Sequence, residues 1–135
     1  MAYKVIDIEG VGEVYAEKLT SAGIDTVEQL LECCATPAGR KQLAEKADIA
    51  PALILKWTNH ADLFRVKGIG PQFAELLEAA GVDTVKELRH RVAANLAAKL
   101  AECNEQKHLV RRVPVEKEIA LMIEEAKQLE PKVTY

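Results

Sequence analysis

The chain has 135 residues, of which 49% are hydrophobic and only 4% aromatic, which suits one ordinary domain or two very small ones. Ala, Leu, Glu and Lys dominate, as in all-α proteins. The net charge of −3 argues against the basic surface of a dedicated nucleic-acid binder, and the lack of an 18-residue apolar run excludes a transmembrane helix.

The N-terminus and the cysteines indicate the compartment. "MAYKVIDIEG" has no basic segment followed by an apolar one, so no secretory signal is expected. The three cysteines are an odd number, and Cys33 and Cys34 are adjacent, where a disulfide would be strained. We therefore expect reduced, mostly buried cysteines in a cytoplasmic protein.

Residues 8–31 recur as residues 66–89, with 11 identities in 24 positions. Such self-similarity is the signature of an internal repeat. The sequence predicts two tandem helical repeats that pack through their apolar faces into one all-α unit. The first repeat is 1–60, with its turn at 10–12, and the second is 61–135, with its turn at 68–70.

The glycines, prolines and capping residues of the first repeat predict its helix boundaries. Only nine residues precede Gly10, so the leading helix must be short or irregular. Gly23 is placed to stop the next helix in a left-handed conformation, and Thr26 with Gln29 has capping-box spacing. A third helix is predicted from Thr36-Pro37 and a fourth from Pro51, which carries Ile54, Trp57 and Ala61 on one apolar face.

The second repeat follows the same order. Gly81 is its helix stop, and Thr84 with Glu87 has capping-box spacing. Its third helix carries Leu96, Leu100 and Cys103, and a fourth, led by Pro114, carries Ile119, Met122 and Ala126.

The Gly68-Ile69-Gly70 turn has little side-chain bulk around one apolar anchor, Ile69. It allows a positive φ and leaves backbone amides exposed at the start of the Pro71 helix, where the helix dipole attracts a phosphate oxygen. The structural alternative is a turn that only lets two helices cross closely. Both interpretations remain open for this turn, whereas the structural one is favoured for Gly10 and Gly12.

The stretch "DLFRVKGIGPQFAELLEAAGVDTVKEL", residues 62–88, resembles a helix-hairpin-helix motif. The whole chain is similar to a bacterial family of unknown function built from tandem copies of that motif. This resemblance implies DNA binding without sequence preference, through amides around Gly68 and Gly70 and with help from Lys67.

Charge distinguishes the two turns. Carboxylates surround the first one, so Gly10 and Gly12 are expected to form a degenerate hairpin that repels phosphate. Residues 86–117 hold 8 basic and 4 acidic residues, which places phosphate contacts in the second half. The candidate nucleic-acid-binding residues are Arg65, Lys67, Gly68, Ile69, Gly70, Arg111 and Arg112.

No catalytic or metal-binding pattern emerges. His60, His90 and His108 are far apart and lack companions at metal-ligand spacing, so we expect no metal, no cofactor and no enzymatic activity. The Asn59-His60 pair with Asp62 is either a buried hydrogen-bond bracket or a small site. The partner is predicted to be DNA or an unidentified protein, with no membrane and no small-molecule substrate.

Overall fold

The computed structural model describes residues 3–135, so Met1 and Ala2, which the sequence assigned to the first repeat, lie outside the described residues. The described part of the chain is all-helical, as predicted, with a short 3-10 turn at Val5–Asp7 and one isolated bridge between Lys4 and Thr26. Its helices are α1 Glu13–Ser21, α2 Val27–Cys34, α3 Pro37–Ala47, α4 Pro51–Leu63, α5 Pro71–Ala79, α6 Val85–Leu88, α7 Ala93–Lys107 and α8 Glu116–Gln128.

Over residues 3–135, none of these helices is both long enough and apolar enough to cross a membrane.

The chain divides into two compact units. The first comprises residues 3–62 together with Lys132–Tyr135, and the second is Leu63–Pro131. The chain therefore leaves the first unit near the end of α4 and returns to it after α8. The sequence-based division at residue 60 had assigned these last four residues to the second repeat.

The end of α1 and the start of α2 are capped as predicted. Gly23 follows α1 with a φ of +91°, and the Ile24 amide donates back to the Leu19 carbonyl at 2.9 Å, which satisfies an end-of-helix carbonyl. Thr26 Oγ1 accepts from the Gln29 amide at 3.1 Å, and Gln29 Oε1 accepts from the Thr26 amide at 3.0 Å. The left-handed stop and the capping box are both confirmed.

The second unit repeats the helix stop but not the whole box. Gly81 has a φ of +92°, and Thr84 Oγ1 accepts from the Glu87 amide at 3.2 Å. The reciprocal bond is replaced, because Glu87 Oε1 instead accepts from Arg91 Nη2 at 2.7 Å. The prediction of a full capping box at Thr84 is therefore wrong in its second half.

The two repeated segments share their backbone hydrogen bonds at a constant offset of 58 positions. This agreement extends through the turn, the following helix and the start of the next one, so the sequence similarity reflects the same local backbone structure. The paired bonds include Val11 to Ile8 with Ile69 to Val66, Ala16 to Gly12 with Ala74 to Gly70, Ile24 to Leu19 with Val82 to Leu77, and Leu30 to Thr26 with Leu88 to Thr84.

The third and fourth helices complete the first unit. α3 begins at Pro37, with Thr36 Oγ1 accepting from the Gly39 amide, and α4 begins at Pro51, both as predicted. Trp57 of α4 is only 1% exposed and meets the Tyr15 ring edge-on, with 5.1 Å between ring centroids. The expected core position of Trp57 is confirmed.

The last helix of the second unit differs from its prediction in its first residue and in one of its three core positions. α8 begins at Glu116, two residues beyond Pro114, and Ile123 is buried whereas Met122 is only half-buried. Met122 was expected in the core with Ile119 and Ala126. It packs only partly against the core and also faces the Gly68 turn, where its Cε lies 3.2 Å from the position a Cβ on Gly68 would take.

The α2–α3 corner imposes a constraint that the sequence analysis missed. A Cβ added at Gly39 would lie 2.0 Å from the Cys33 carbonyl oxygen. Because the Cβ position is fixed by the Gly39 backbone and the oxygen belongs to the Cys33 backbone, no side-chain movement relieves this contact. Only glycine fits where α3 begins.

We expect Gly23→Ala to destabilise the protein by about 1–2 kcal/mol, since an L-residue is disfavoured at positive φ. Gly12→Ala is the matched control, because the added Cβ meets no atom within 4 Å at either site but Gly12 has a φ of −86°. The control should stay within about 0.5 kcal/mol of the parent. Urea unfolding followed by circular dichroism measures both, and equal losses would contradict the assignment.

Candidate nucleic-acid interface

The second turn, residues 66–70, is a tight reversal over a buried anchor. The Val66 amide donates to the Leu63 carbonyl at 3.1 Å, and the Ile69 amide donates to the Val66 carbonyl at 3.2 Å. Gly68 has a φ of +93°, while Ile69 is 2% exposed and belongs to the core of the second unit. The predicted positive φ and the predicted anchor are both present.

The turn ends in the N-terminus of α5. Gly70 is the N-cap residue, with extended backbone (φ −105°, ψ −176°), and Pro71 is the first helical residue. Within residues 3–135, neither the Gly70 amide nor the Gln72 amide donates a hydrogen bond. These two amides stand at the positive end of the helix dipole, which is an arrangement that attracts an anionic oxygen.

α8 lies against the same turn and brings carboxylates to it. The Lys67 amide donates to Glu125 Oε2 at 3.1 Å. Next to this bond is an open groove of about 340 Å³. Leu121 lines the groove and is 65% exposed. The lining of the groove is formed by Lys67, Gly68, Glu118, Leu121, Met122 and Glu125.

The predicted cations differ in what they contact. The Lys67 side chain is exposed, whereas Arg65 donates through Nη2 to the Glu130 carbonyl at 2.7 Å. Arg112 forms an ion pair with Glu118, and this hydrogen bond lowers the pKa of the Glu118 carboxyl. Arg111 is exposed and has no hydrogen bond or ion pair within residues 3–135.

The predicted site residues are thus only partly brought together. Gly68, Ile69 and Gly70 form the turn, and Lys67 stands beside them. Arg112 reaches the same groove only through its partner Glu118.

The first turn, residues 8–12, has the same backbone but different surroundings. Gly10 has a φ of +93°, and Gly12 is an extended N-cap residue with a φ of −86°. Trp57 covers this turn, with its Nε1 3.9 Å from where a Cβ on Gly10 would lie. Exposed carboxylates follow the turn at Glu13 and Glu17, so the geometry is retained where the charge is unfavourable for phosphate.

Glu118 and Glu125 are the residues of the candidate site that sequence reasoning missed. They stand seven positions apart, which places both on one face of α8 together with Met122. This spacing was readable in the sequence. The element that α8 packs against was not, because no local pattern specifies it.

The polar cluster at the end of α4 is buried. Asn59, His60 and Asp62 are all at most 5% exposed, and Asn59 Oδ1 accepts from the Tyr135 hydroxyl at 3.2 Å. This hydrogen bond favours the bracket interpretation for Asn59.

The cysteines differ in exposure. Cys33 is exposed, while Cys34 and Cys103 are buried. Burial, reinforced by the adjacent Cys33, raises the pKa of the Cys34 thiol to about 12. Because the thiolate is the reactive form, Cys34 is suited to packing and not to nucleophilic chemistry.

A comparison with protein families matches residues 9–129 to the family described as Domain of unknown function (DUF4332). The chain belongs to this family. No curated protein and no solved structure matches it.

In the folded protein we expect one fast-reacting thiol out of three. Cys33 is the exposed thiol, whereas the pKa of Cys34 keeps that thiol protonated at about pH 8. Labelling with a chromogenic disulfide reagent measures the fast phase, and Cys33→Ser should abolish it. A second fast thiol in the folded chain would contradict the assignment.

Proposed function

We propose that this protein binds DNA weakly and without sequence preference, through the phosphate backbone. The second turn is the contact point, and the amides of Gly70 and Gln72 hold a phosphate oxygen. The observation that carries the proposal is that these two amides, at the start of α5 and near the exposed Lys67, donate no hydrogen bond within residues 3–135. Such contacts position a protein on a duplex but do not read its bases.

The Glu125 contact supports the proposed chemistry. Its carboxylate oxygen accepts from the Lys67 amide, so an amide of this turn already holds an anionic oxygen within the chain. A phosphate oxygen presents a similar charge and acceptor geometry to the neighbouring amides. The same carboxylate also repels phosphate, which makes the proposed binding weak and salt-sensitive.

We further propose that the chain carries two tandem helix-hairpin-helix elements, of which only the second is active. The shared hydrogen bonds at an offset of 58 and the equal φ of Gly10 and Gly68 support this interpretation. Lys67 in the active turn corresponds to Glu9 in the degenerate one. That single exchange reverses the charge beside the turn.

A protein-interaction module is the rival function. Exposed Leu121 beside Met122, flanked by Glu118 and Glu125, favours it, because an apolar groove between carboxylates suits a protein partner better than a phosphate. The two functions differ in which face of the second turn is used. DNA would contact the α5 side of the turn, and a protein would contact the α8 side.

Fluorescence anisotropy with a labelled duplex, at low and near-physiological salt, tests the DNA proposal. Gly70→Asp should lower affinity by about tenfold or more, because it places a carboxylate on the proposed phosphate position. The extended backbone of Gly70 suits an Asp N-cap, so this variant should remain folded. Gly12→Asp makes the same change at the equivalent N-cap of the first turn and should have little effect.

Lys67→Glu gives the second turn the residue that the first turn has at Glu9. It should weaken binding and reduce the slope of log K against log salt by about one. Equal losses from Gly70→Asp and Gly12→Asp would refute the assignment to the second turn. No binding at low salt would reject the DNA proposal and leave the protein-interaction module.

Neutralising the carboxylate at the turn should act in the opposite direction. Glu125→Gln keeps an acceptor for the Lys67 amide and removes one negative charge, so DNA affinity should rise by about two- to fivefold at low salt. Glu124→Gln is the matched control, because Glu124 pairs with Lys127. The same titrations measure both variants, and an equal rise in both would indicate a general charge effect.

A further inference from the structure

Arg40 is a buried cation with an unusual set of partners. It is 8% exposed, and its Nη1 donates to the carbonyls of Cys34 and Ala35 at 3.0 and 3.2 Å. These carbonyls end α2, where a positive charge is favourable. The other guanidinium nitrogen, Nη2, points to a segment distant in sequence and donates to the Thr134 carbonyl at 2.7 Å.

The segment Val133–Tyr135 occupies this place as a peptide ligand would. The Thr134 amide donates to the Ala35 carbonyl at 2.8 Å, and Val133 is buried. The Tyr135 ring lies over Arg40, 5.7 Å from the guanidinium carbon, and its hydroxyl donates to Asn59 Oδ1 at 3.2 Å. Backbone groups and the hydroxyl of Thr134 hold the middle residue, Val133 is buried before it, and polar groups contact Tyr135 after it.

We propose that Ala35, Arg40 and Asn59 form a peptide-binding site, the Arg40 site, which the chain fills with its own Val133–Tyr135 and which also takes this segment from a second copy of the chain. The ligand class is an extended peptide with an aliphatic residue two positions before a tyrosine. The second copy then contributes residues without which the site is incomplete.

The connection to this segment favours exchange. The Glu130 carbonyl is held by Arg65, and Val133 is buried in the first unit, so only Pro131 and Lys132 link the two anchored points. Both linking residues are exposed. Short links of this kind between anchored elements favour exchange between copies, because the same contacts form with either chain.

The hydrogen bonds made by Val133–Tyr135 also favour release of this segment from the Arg40 site. Its hydrogen bonds with Ala35, Arg40 and Asn59 are not part of the helical hydrogen bonds of α1–α4, so those helical bonds stay intact when the segment leaves. Release leaves Arg40 Nη2 without its carbonyl acceptor. Arg40 then keeps only the Nη1 bonds to Cys34 and Ala35. A guanidinium nitrogen that loses its acceptor is unfavourable, so the emptied site gains from taking the segment of another chain.

Two full-length variants test the proposal. Val133→Asp disables the segment and leaves the Arg40 site intact, whereas Arg40→Met disables the site and leaves the segment intact. We would label Val133→Asp with ¹⁵N, add unlabelled Arg40→Met, and follow Asn59 and Ala35 by NMR. Saturable shifts toward the wild-type positions are expected, with unlabelled Val133→Asp as the control that produces none.

The absence of shifts at protein concentrations of about 1 mM would overturn the proposal. If Arg40→Met does not fold, an unlabelled peptide with the sequence of residues 129–135 replaces it as the donor, with the same two outcomes. Amide hydrogen exchange in the wild-type chain gives a second readout. Thr134 should exchange about tenfold or more faster than Ile24 of the α1 helix stop, and equal protection would show that the segment does not detach.

Discussion

In each unit the last long helix packs against the glycine turn, and this packing determines the surroundings of the turn. In the first unit Trp57 of α4 lies over Gly10, and in the second Met122 of α8 lies over Gly68. A side chain at either glycine would have to accept a disfavoured positive φ, and at Gly68 it would also press on Met122. In each unit the last long helix therefore lies beside the turn, and the turn leads directly into the next helix, α1 or α5.

The helix that covers the second turn also places negative charge beside it. α8 presents Met122 between Glu118 and Glu125, so the helix that holds the second turn also supplies two carboxylates to it. One of them binds the Lys67 amide, and the other is neutralised by Arg112. The amides of Gly70 and Gln72, where α5 begins, donate no hydrogen bond within residues 3–135. The turn thus has α8 carboxylates beside Lys67 and unbonded amides at the start of α5.

Much of the local structure could be predicted from sequence because it depends on nearby residues. Gly23, Gly81 and the Thr26 cap act within a few positions of themselves, and the helix periodicity identified the core face of α4. The spacing of Thr84 and Glu87 also predicted a capping box, but Arg91, one turn later, binds the Glu87 carboxylate instead. Local rules identified the available partners without deciding between them.

What the sequence did not reveal depends on tertiary contact. The Gly39 constraint arises from a carbonyl six positions away across a helix corner, and the half-burial of Met122 depends on which element α8 meets. The same holds for the candidate site. Its turn and Lys67 were predicted from the repeat, whereas the carboxylate that binds the Lys67 amide comes from a helix residue 58 positions later in the chain, which no local pattern places.

The path of the chain also affects the order in which the units can be completed during synthesis. The first unit begins the chain but lacks Val133–Tyr135 until the second unit, Leu63–Pro131, has been made in full. Arg40 is therefore translated long before its Thr134 acceptor exists. On the ribosome, the unit whose synthesis starts second can be completed first, and the early unit must persist with an open Arg40 site until Val133–Tyr135 have been made.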